Sequence, residues 1–246
     1  MLTGEIKGLQ RTRRLMNRIP SEPRCKLCAA PFGRPGSAVV RLVGFGESKI
    51  NRRLCRGCLR TVLKIPGGAE IELSLLFADV RGSTALAEGT PAQEFSRLMA
   101  RFYGAAAKTV DERDGIVDKF VGDEVVALFI PGFAGDDHAA DAVAAARELM
   151  RETGNDGAAP WIPVGAAVHT GVAFVGVVGE GDAHDFTALG DPVNIAARLA
   201  SEAGAGEILV TTIAAEAAEL DTHDLEARTL DLRGRDEHVT AWVAHG

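Results

Sequence analysis

The stretch Leu75-Leu76-Phe77-Ala78-Asp79-Val80-Arg81-Gly82-Ser83-Thr84 constrains the fold more than any other. Ile71, Leu73, Leu75, Leu76 and Phe77 are bulky and closely spaced, which predicts a buried strand. The strand runs out on a carboxylate, so Asp79 is expected at its mouth. Gly82, Ser83 and Thr84 allow a tight turn into a helix, and the free N–H groups of such a turn suit a phosphate. A second acidic element, Phe120-Val121-Gly122-Asp123-Glu124, lies between apolar runs, with Gly122-Asp123 as the hairpin turn. Two strand-end aspartates beside a phosphate-binding turn are what two-metal phosphoryl transfer needs. The plainer reading makes Asp79 a helix cap and Asp123 a turn residue.

The rest of residues 70–246 alternates strand and helix. After the strand at 70–78 comes a short helix from Ser83. A longer helix starts at Thr90-Pro91-Ala92-Gln93, read as a capping box with Pro at the first helical position. Phe95, Leu98, Met99, Phe102, Ala106 and Val110 form its apolar face. Strands are expected at 116–121 and 124–130, then a helix from Asp136-Asp137 to Gly154. Strands at 164–168 and 172–178, a helix at 192–202, a strand at 208–210 and a helix at 211–220 follow. Strands at 225–232 and 239–244 close the sheet. The order predicts an α+β fold: a ferredoxin-like βαββαβ core with an extended antiparallel sheet.

The first 64 residues differ from the rest in charge. They carry 15 Lys and Arg against 3 Asp and Glu, while the remainder carries 12 against 31. Such a break argues for two separately folded parts, joined near Lys64-Ile65-Pro66-Gly67-Gly68. Residues 1–19 read as an amphipathic basic helix with Leu2, Ile6, Leu9 and Met16 on one face, packed on this protein or on a second subunit. All four cysteines fall in Cys25-Lys26-Leu27-Cys28 and Cys55-Arg56-Gly57-Cys58. Two such thiolate pairs complete a tetrahedral site, so residues 20–64 are expected to form a zinc-ribbon-like module around a structural zinc. An iron–sulfur cluster is the alternative. Arg52, Arg53, Arg56 and Arg60 are basic but lack interleaved aromatics, so nucleic acid is not the expected partner.

Three motifs, in order, resemble the class III nucleotidyl cyclases. They are Phe77-Ala78-Asp79-Val80-Arg81-Gly82-Ser83-Thr84, Lys119-Phe120-Val121-Gly122-Asp123-Glu124 and the run from Thr187 through Gly190-Asp191-Pro192-Val193-Asn194 to Arg198. The likeness spans about residues 70–245. It implies that Asp79, Asp123 and the Val80 carbonyl hold two Mg²⁺ or Mn²⁺ ions, and that Asn194 and Arg198 orient the ribose and stabilise charge on the phosphate. Lys119 and Thr187 would read the base. Arg235, beside Arg233, would meet the triphosphate, as would the turn of Gly82, Ser83 and Thr84. His169 and Gly171 also match the family, and His169 reads as a packed strand-end histidine. Where relatives place another arginine toward the phosphates, this chain has Glu180, Asp182, His184 and Asp185.

The resemblance therefore implies an adenylate cyclase making 3′,5′-cyclic AMP and pyrophosphate from ATP at the interface of a head-to-tail homodimer. Lysine donating to adenine N1 and threonine accepting from its amine favour ATP. Alternatives are cyclisation of GTP or a pyrimidine nucleotide, a diguanylate cyclase, a non-catalytic nucleotide sensor, or a zinc-ribbon nucleic-acid binder. No apolar run reaches the roughly 18–20 residues of a membrane span, and no apolar segment marks a signal peptide. A cytoplasmic protein is expected.

Overall fold

The computed structural model describes residues 7–19, 23–25, 27–42, 44–47, 55–58, 68–157, 159–180, 183–231 and 238–246. The chain divides into two compact units, residues 1–69 with 175–187, and residues 70–174 with 188–246.

The larger unit is built on β1 (Ala69–Val80). It is followed by α3 (Ser83–Gly89), α4 (Ala92–Glu112), β2 (Ile116–Val121), β3 (Glu124–Phe129), α5 (Pro131–Ala134) and α6 (His138–Thr153). Then come β4 (Val164–Glu180) and β5 (Ala183–Leu189), of which residues 175–187 belong to the smaller unit, and α7 (Asp191–Glu202), β6 (Ile208–Thr211), α8 (Thr212–Ala217), β7 (Glu226–Leu230) and β8 (Val239–Ala244). The sheet order is β2-β3-β1-β4-β6-β8-β7, with β5 pairing β4. Its first four strands have the order of a βαββαβ core.

Why β1 is central follows from its side chains. Leu76, Ala78 and Val80 face a cluster with Met99, Phe102, Ala106 and Val110 of α4 and with Val143, Ala146, Leu149 and Met150 of α6. Leu73, Leu75 and Phe77, on the other face, are buried too. A strand covered on both faces is a near-continuous apolar run. Between α4 and β2 the chain turns at Asp114 and Gly115. A Cβ on Gly115 would sit 2.7 Å from Phe129 and 2.8 Å from Val110, so glycine lets the turn close on the core. The helix α6 ends on Gly154 at φ 77, whose N–H donates back to Arg151 and Met150 carbonyls, the left-handed cap that glycine favours.

Several expectations are corrected. Residues 164–180 form one strand, where a break was expected around Gly171. That glycine serves packing, since a Cβ there would lie 2.9 Å from Pro192 at the start of α7. The acidic segment expected as a loop is strand through Glu180 and again from Ala183. The sheet is not wholly antiparallel, because β4 and β6 run parallel, in register Ala166↔Ile208 to Val168↔Val210. The capping box at Thr90 does not form. Pro91 is itself the N-cap, without a side-chain cap bond, and Thr90 ends α3 in extended conformation.

The smaller unit contains α1 (Lys7–Met16) and α2 (Gly36–Leu42). Leu2 and Ile6 of the expected apolar stripe lie outside the described residues, as does the side chain of Leu9. Leu15 is exposed instead. Arg24 ties α1 to the first cysteine pair, donating to the carbonyls of Met16 (3.0 Å), Ile19 (2.5 Å) and Ala29 (3.2 Å). The strands expected between the cysteine pairs are not what the described residues show. The segment holds α2, and the extended pairing is confined to the isolated bridges Arg24↔Pro31 and Glu47↔Cys55. The Gly-, Arg- and Val-rich composition of residues 29–54 resembles zinc-ribbon strands, but residues 36–42, following Pro35, are helical.

Candidate active site

The two aspartates are brought together by the β1–β3 ladder. Asp79 pairs in register with Glu124, and the Val80 N–H donates to the Asp123 carbonyl at 3.2 Å. The turn that carries Asp123 has Gly122 at φ 61, a conformation that favours glycine. Tyr103, the only tyrosine in the chain, braces this turn from α4. Its hydroxyl donates to the Gly122 carbonyl, and its ring lies 4.4 Å from that of Phe120.

Electrostatically the site is a compact group of opposite charges. Arg81 forms an ion pair with the Asp79 carboxylate. Burial pulls the Arg81 guanidinium down from its usual range, and Asp123 and Glu124 oppose that pull. Burial, with Asp123 beside it, raises the Glu124 carboxyl. Carboxylates held at a strand end are hard oxygen donors of the kind divalent Mg²⁺ or Mn²⁺ takes. The ion pair with Arg81 shows that this position already attracts positive charge. The donor set therefore fits a divalent cation.

The other expected site residues fall as follows. Gly82 is the N-cap of α3 at φ 68, and Ser83 and Thr84 are its first residues. Lys119 lies in β2 just after a register shift, its ammonium 3.4 Å from the buried Asp118 carboxylate. Asn194 and Arg198 lie one turn apart on α7, Asn194 exposed and Arg198 half-buried. Thr187 is buried on β5, in the smaller unit. Arg233 and Arg235 lie outside the described residues. His169 is a packed residue, its Nδ1 3.0 Å from the Thr211 hydroxyl. Tyr103 and Arg81 were not assigned roles from sequence. Tyr103 carried only the signal of a lone tyrosine on an otherwise apolar helix face.

The four cysteines form a second candidate centre. Their sulfurs all lie within 4.8 Å of one another, and all four residues are buried. Cys28 and Cys55 sulfurs are 3.6 Å apart, close to the roughly 3.8 Å edge of a tetrahedron with 2.3 Å metal–sulfur bonds. Backbone N–H groups of Cys55 and Cys58 donate to the sulfurs of Cys25 (3.2 Å) and Cys55 (3.3 Å). Hydrogen bonds from the neighbouring thiols, that of Cys28 foremost, lower the Cys25 pKa. The same contacts, that with Cys25 foremost, raise the Cys28 and Cys58 thiols. The donor chemistry fits a tetrahedral metal.

Known proteins are similar to this chain over most of its length. The solved guanylyl cyclase Cya2 is 28% identical and superposes with a TM-score of 0.64 over 72% of this chain and 93% of that one. The adenylyl cyclase CyaB from P. aeruginosa is also 28% identical, with a TM-score of 0.60 over 72% and 96%. An adenylate cyclase of Anabaena cylindrica is 26% identical over 197 residues, 73% of this chain and 38% of that protein. An uncharacterized protein of Mycobacterium tuberculosis is 31% identical over 177 residues, 70% of this chain and 32% of its own length. The chain thus spans about a third of the length of these two relatives. No helix among the described residues is long and apolar enough to cross a membrane. Residues 69–245 match the family described as the adenylate and guanylate cyclase catalytic domain, and the chain belongs to that family.

Proposed function

We propose that the chain is an adenylate cyclase. ATP is cyclised when its ribose 3′-oxygen attacks the α-phosphorus, giving 3′,5′-cyclic AMP. The 3′-hydroxyl proton is lost and pyrophosphate leaves. Asp79, Asp123 and the Val80 carbonyl would hold two divalent ions, which supply charge neutralisation on the triphosphate and acidify the attacking hydroxyl. The observation that carries this reading is the pairing of Asp79 with the hairpin of Asp123 at the end of β1.

This chain's own groups do the rest. Arg198, with its forked donors, stabilises the charge that builds on the phosphate, and Asn194, one turn before it, orients the ribose. In a head-to-tail homodimer the acids of one copy face Lys119, Thr187, Asn194 and Arg198 of the other. The turn of Gly82, Ser83 and Thr84 and the distal Arg235 hold the phosphates. Lys119 donates to adenine N1 and Thr187 accepts from its amine, a polarity that guanine reverses. The buried Asp118 carboxylate, 3.4 Å from the lysine ammonium, aims it. The Cys25, Cys28, Cys55 and Cys58 centre is a structural zinc site, and residues 1–64 tune activity or dimer affinity.

The test is product identification. With Mn²⁺, the chain should release cyclic AMP and pyrophosphate from ATP at least tenfold faster than cyclic GMP from GTP. Equal or greater use of GTP would overturn the substrate assignment. Tight ATP binding without pyrophosphate release would favour a nucleotide sensor instead. The acidic residues Glu180 and Asp185 flanking the β4–β5 turn support that second reading.

A further inference from the structure

The reading above gives Arg81 no role, yet its guanidinium is the most heavily used side chain near the acids. It lies one residue beyond β1, where its backbone N–H donates to the Pro163 carbonyl at 2.9 Å. One arm of its fork, Nη2, pairs with the Asp79 carboxylate. The other, Nη1, donates to the carbonyls of Ser201 (3.0 Å) and Ala203 (3.4 Å), the last turn and C-cap of α7. The Ser201 hydroxyl in turn donates to the Arg198 carbonyl at 2.6 Å. A cation at a helix C-terminus is favourably placed against the dipole. The side chain is 19% exposed, and its Nε has no partner among the described residues. Burying that nitrogen unsatisfied is unfavourable, so the two arms hold the group where it is.

We propose that Arg81 is a positioning residue with two separable tasks, resting on the metal-site reading of Asp79. Its charge occupies Asp79 until a divalent cation displaces it. Its second arm clamps the end of α7, the helix that carries Asn194 and Arg198, to the strand that carries Asp79. A planar fork can serve both partners at once, whereas an ammonium reaches one.

The two tasks predict opposite signs. Arg81→Gln removes the resident charge, so Mn²⁺ titrated into the whole chain, followed by loss of the free-ion electron paramagnetic resonance signal, should bind about three- to fivefold more tightly, the scale of a partly exposed ion pair. The same variant should lose kcat about tenfold or more with little change in KM for ATP, because α7 is no longer held. Its α7 amides at 199–203 should exchange hydrogen faster. Arg81→Lys keeps the charge and loses the fork. It should therefore bind Mn²⁺ like the parent chain while its kcat still falls. A residue that only supports the fold would weaken or leave unchanged the binding of Mn²⁺ in Arg81→Gln, and either result overturns the proposal. Asp79→Ala separates the two levels. If it abolishes Mn²⁺ binding and turnover while Arg81→Gln changes neither, the clamp fails and the metal site stands. If Asp79→Ala binds Mn²⁺ and turns over normally, the metal site fails and the clamp with it.

Discussion

The two units of this chain are held together by different physics. The larger unit closes around a shared core in which β1, α4 and α6 bury leucine, phenylalanine, valine and alanine on facing surfaces. The smaller unit buries few large apolar side chains among its described residues. Leu27, Val40 and Val175 accompany the four cysteines and two alanines. Its order rests on the sulfur cluster and on the three carbonyls gathered by Arg24. A segment this small rarely folds on apolar burial alone. The contrast teaches that a buried sulfur cluster and gathered carbonyls can stand in for an apolar core. It also implies that the two units fail under different insults.

The largest effect should come from removing metal at the thiols. A chelator that strips zinc, or Cys58→Ser, should abolish hydrogen-exchange protection in residues 27–42 and 55–58 while residues 70–174 keep theirs, since a structural zinc contributes on the order of 10 kcal/mol of apparent binding free energy. Joint loss of protection in both units would break the contrast. In the larger unit, if Asp123 holds a catalytic ion as proposed, Asp123→Ala should lower turnover about a thousandfold or more while leaving the melting transition in place. Unchanged turnover would remove the metal site.

Core packing gives the next step down. Gly115→Ala places a methyl 2.7 Å from Phe129, which should destabilise the larger unit by about 1–3 kcal/mol in urea titration. The cysteine centre should be untouched. The smallest effect belongs to the forked pair of Arg228 and Glu207, at 2.8 and 2.9 Å. Arg228→Ala should cost at most about 1 kcal/mol. The bond from Arg228 lowers the Glu207 pKa. A depressed carboxyl contributes stability that is present above its unfolded pKa and is lost as pH falls through its folded pKa. The difference between parent and variant should therefore vanish on acidification below about pH 4, in melts taken from pH 7 downward.

Much of this was legible from residue order. The run from Ile71 to Asp79 is the apolar strand its residues announce, and a strand buried on two faces can offer chemistry only at its end, where Asp79 stands. The Gly122-Asp123 turn was legible because two apolar strands left no room for anything longer. What escaped has a common cause, in that each depends on a distant neighbour. Gly171 looks like a break until Pro192 is seen against it. The parallel β4–β6 pairing is set by the α7 crossover, not by any local signal. Arg81 sits in the most readable motif of the chain, but its partners at 201 and 203 lie 120 and 122 residues away. The helix α2 was missed because the Gly-, Arg- and Val-rich composition of residues 29–54 resembles zinc-ribbon strands, whereas the chain after Pro35 turns helical.

The central claim is that the acids of one copy act with α7 of another. Mixing Asp123→Ala chains with Arg198→Ala chains tests it most directly. Each variant alone should be inactive, and the mixture should regain up to about a quarter of the parent activity, because half the dimers formed at random hold one intact site of two. Mixtures as inactive as their parts, or appreciable turnover by either variant alone, would contradict the account.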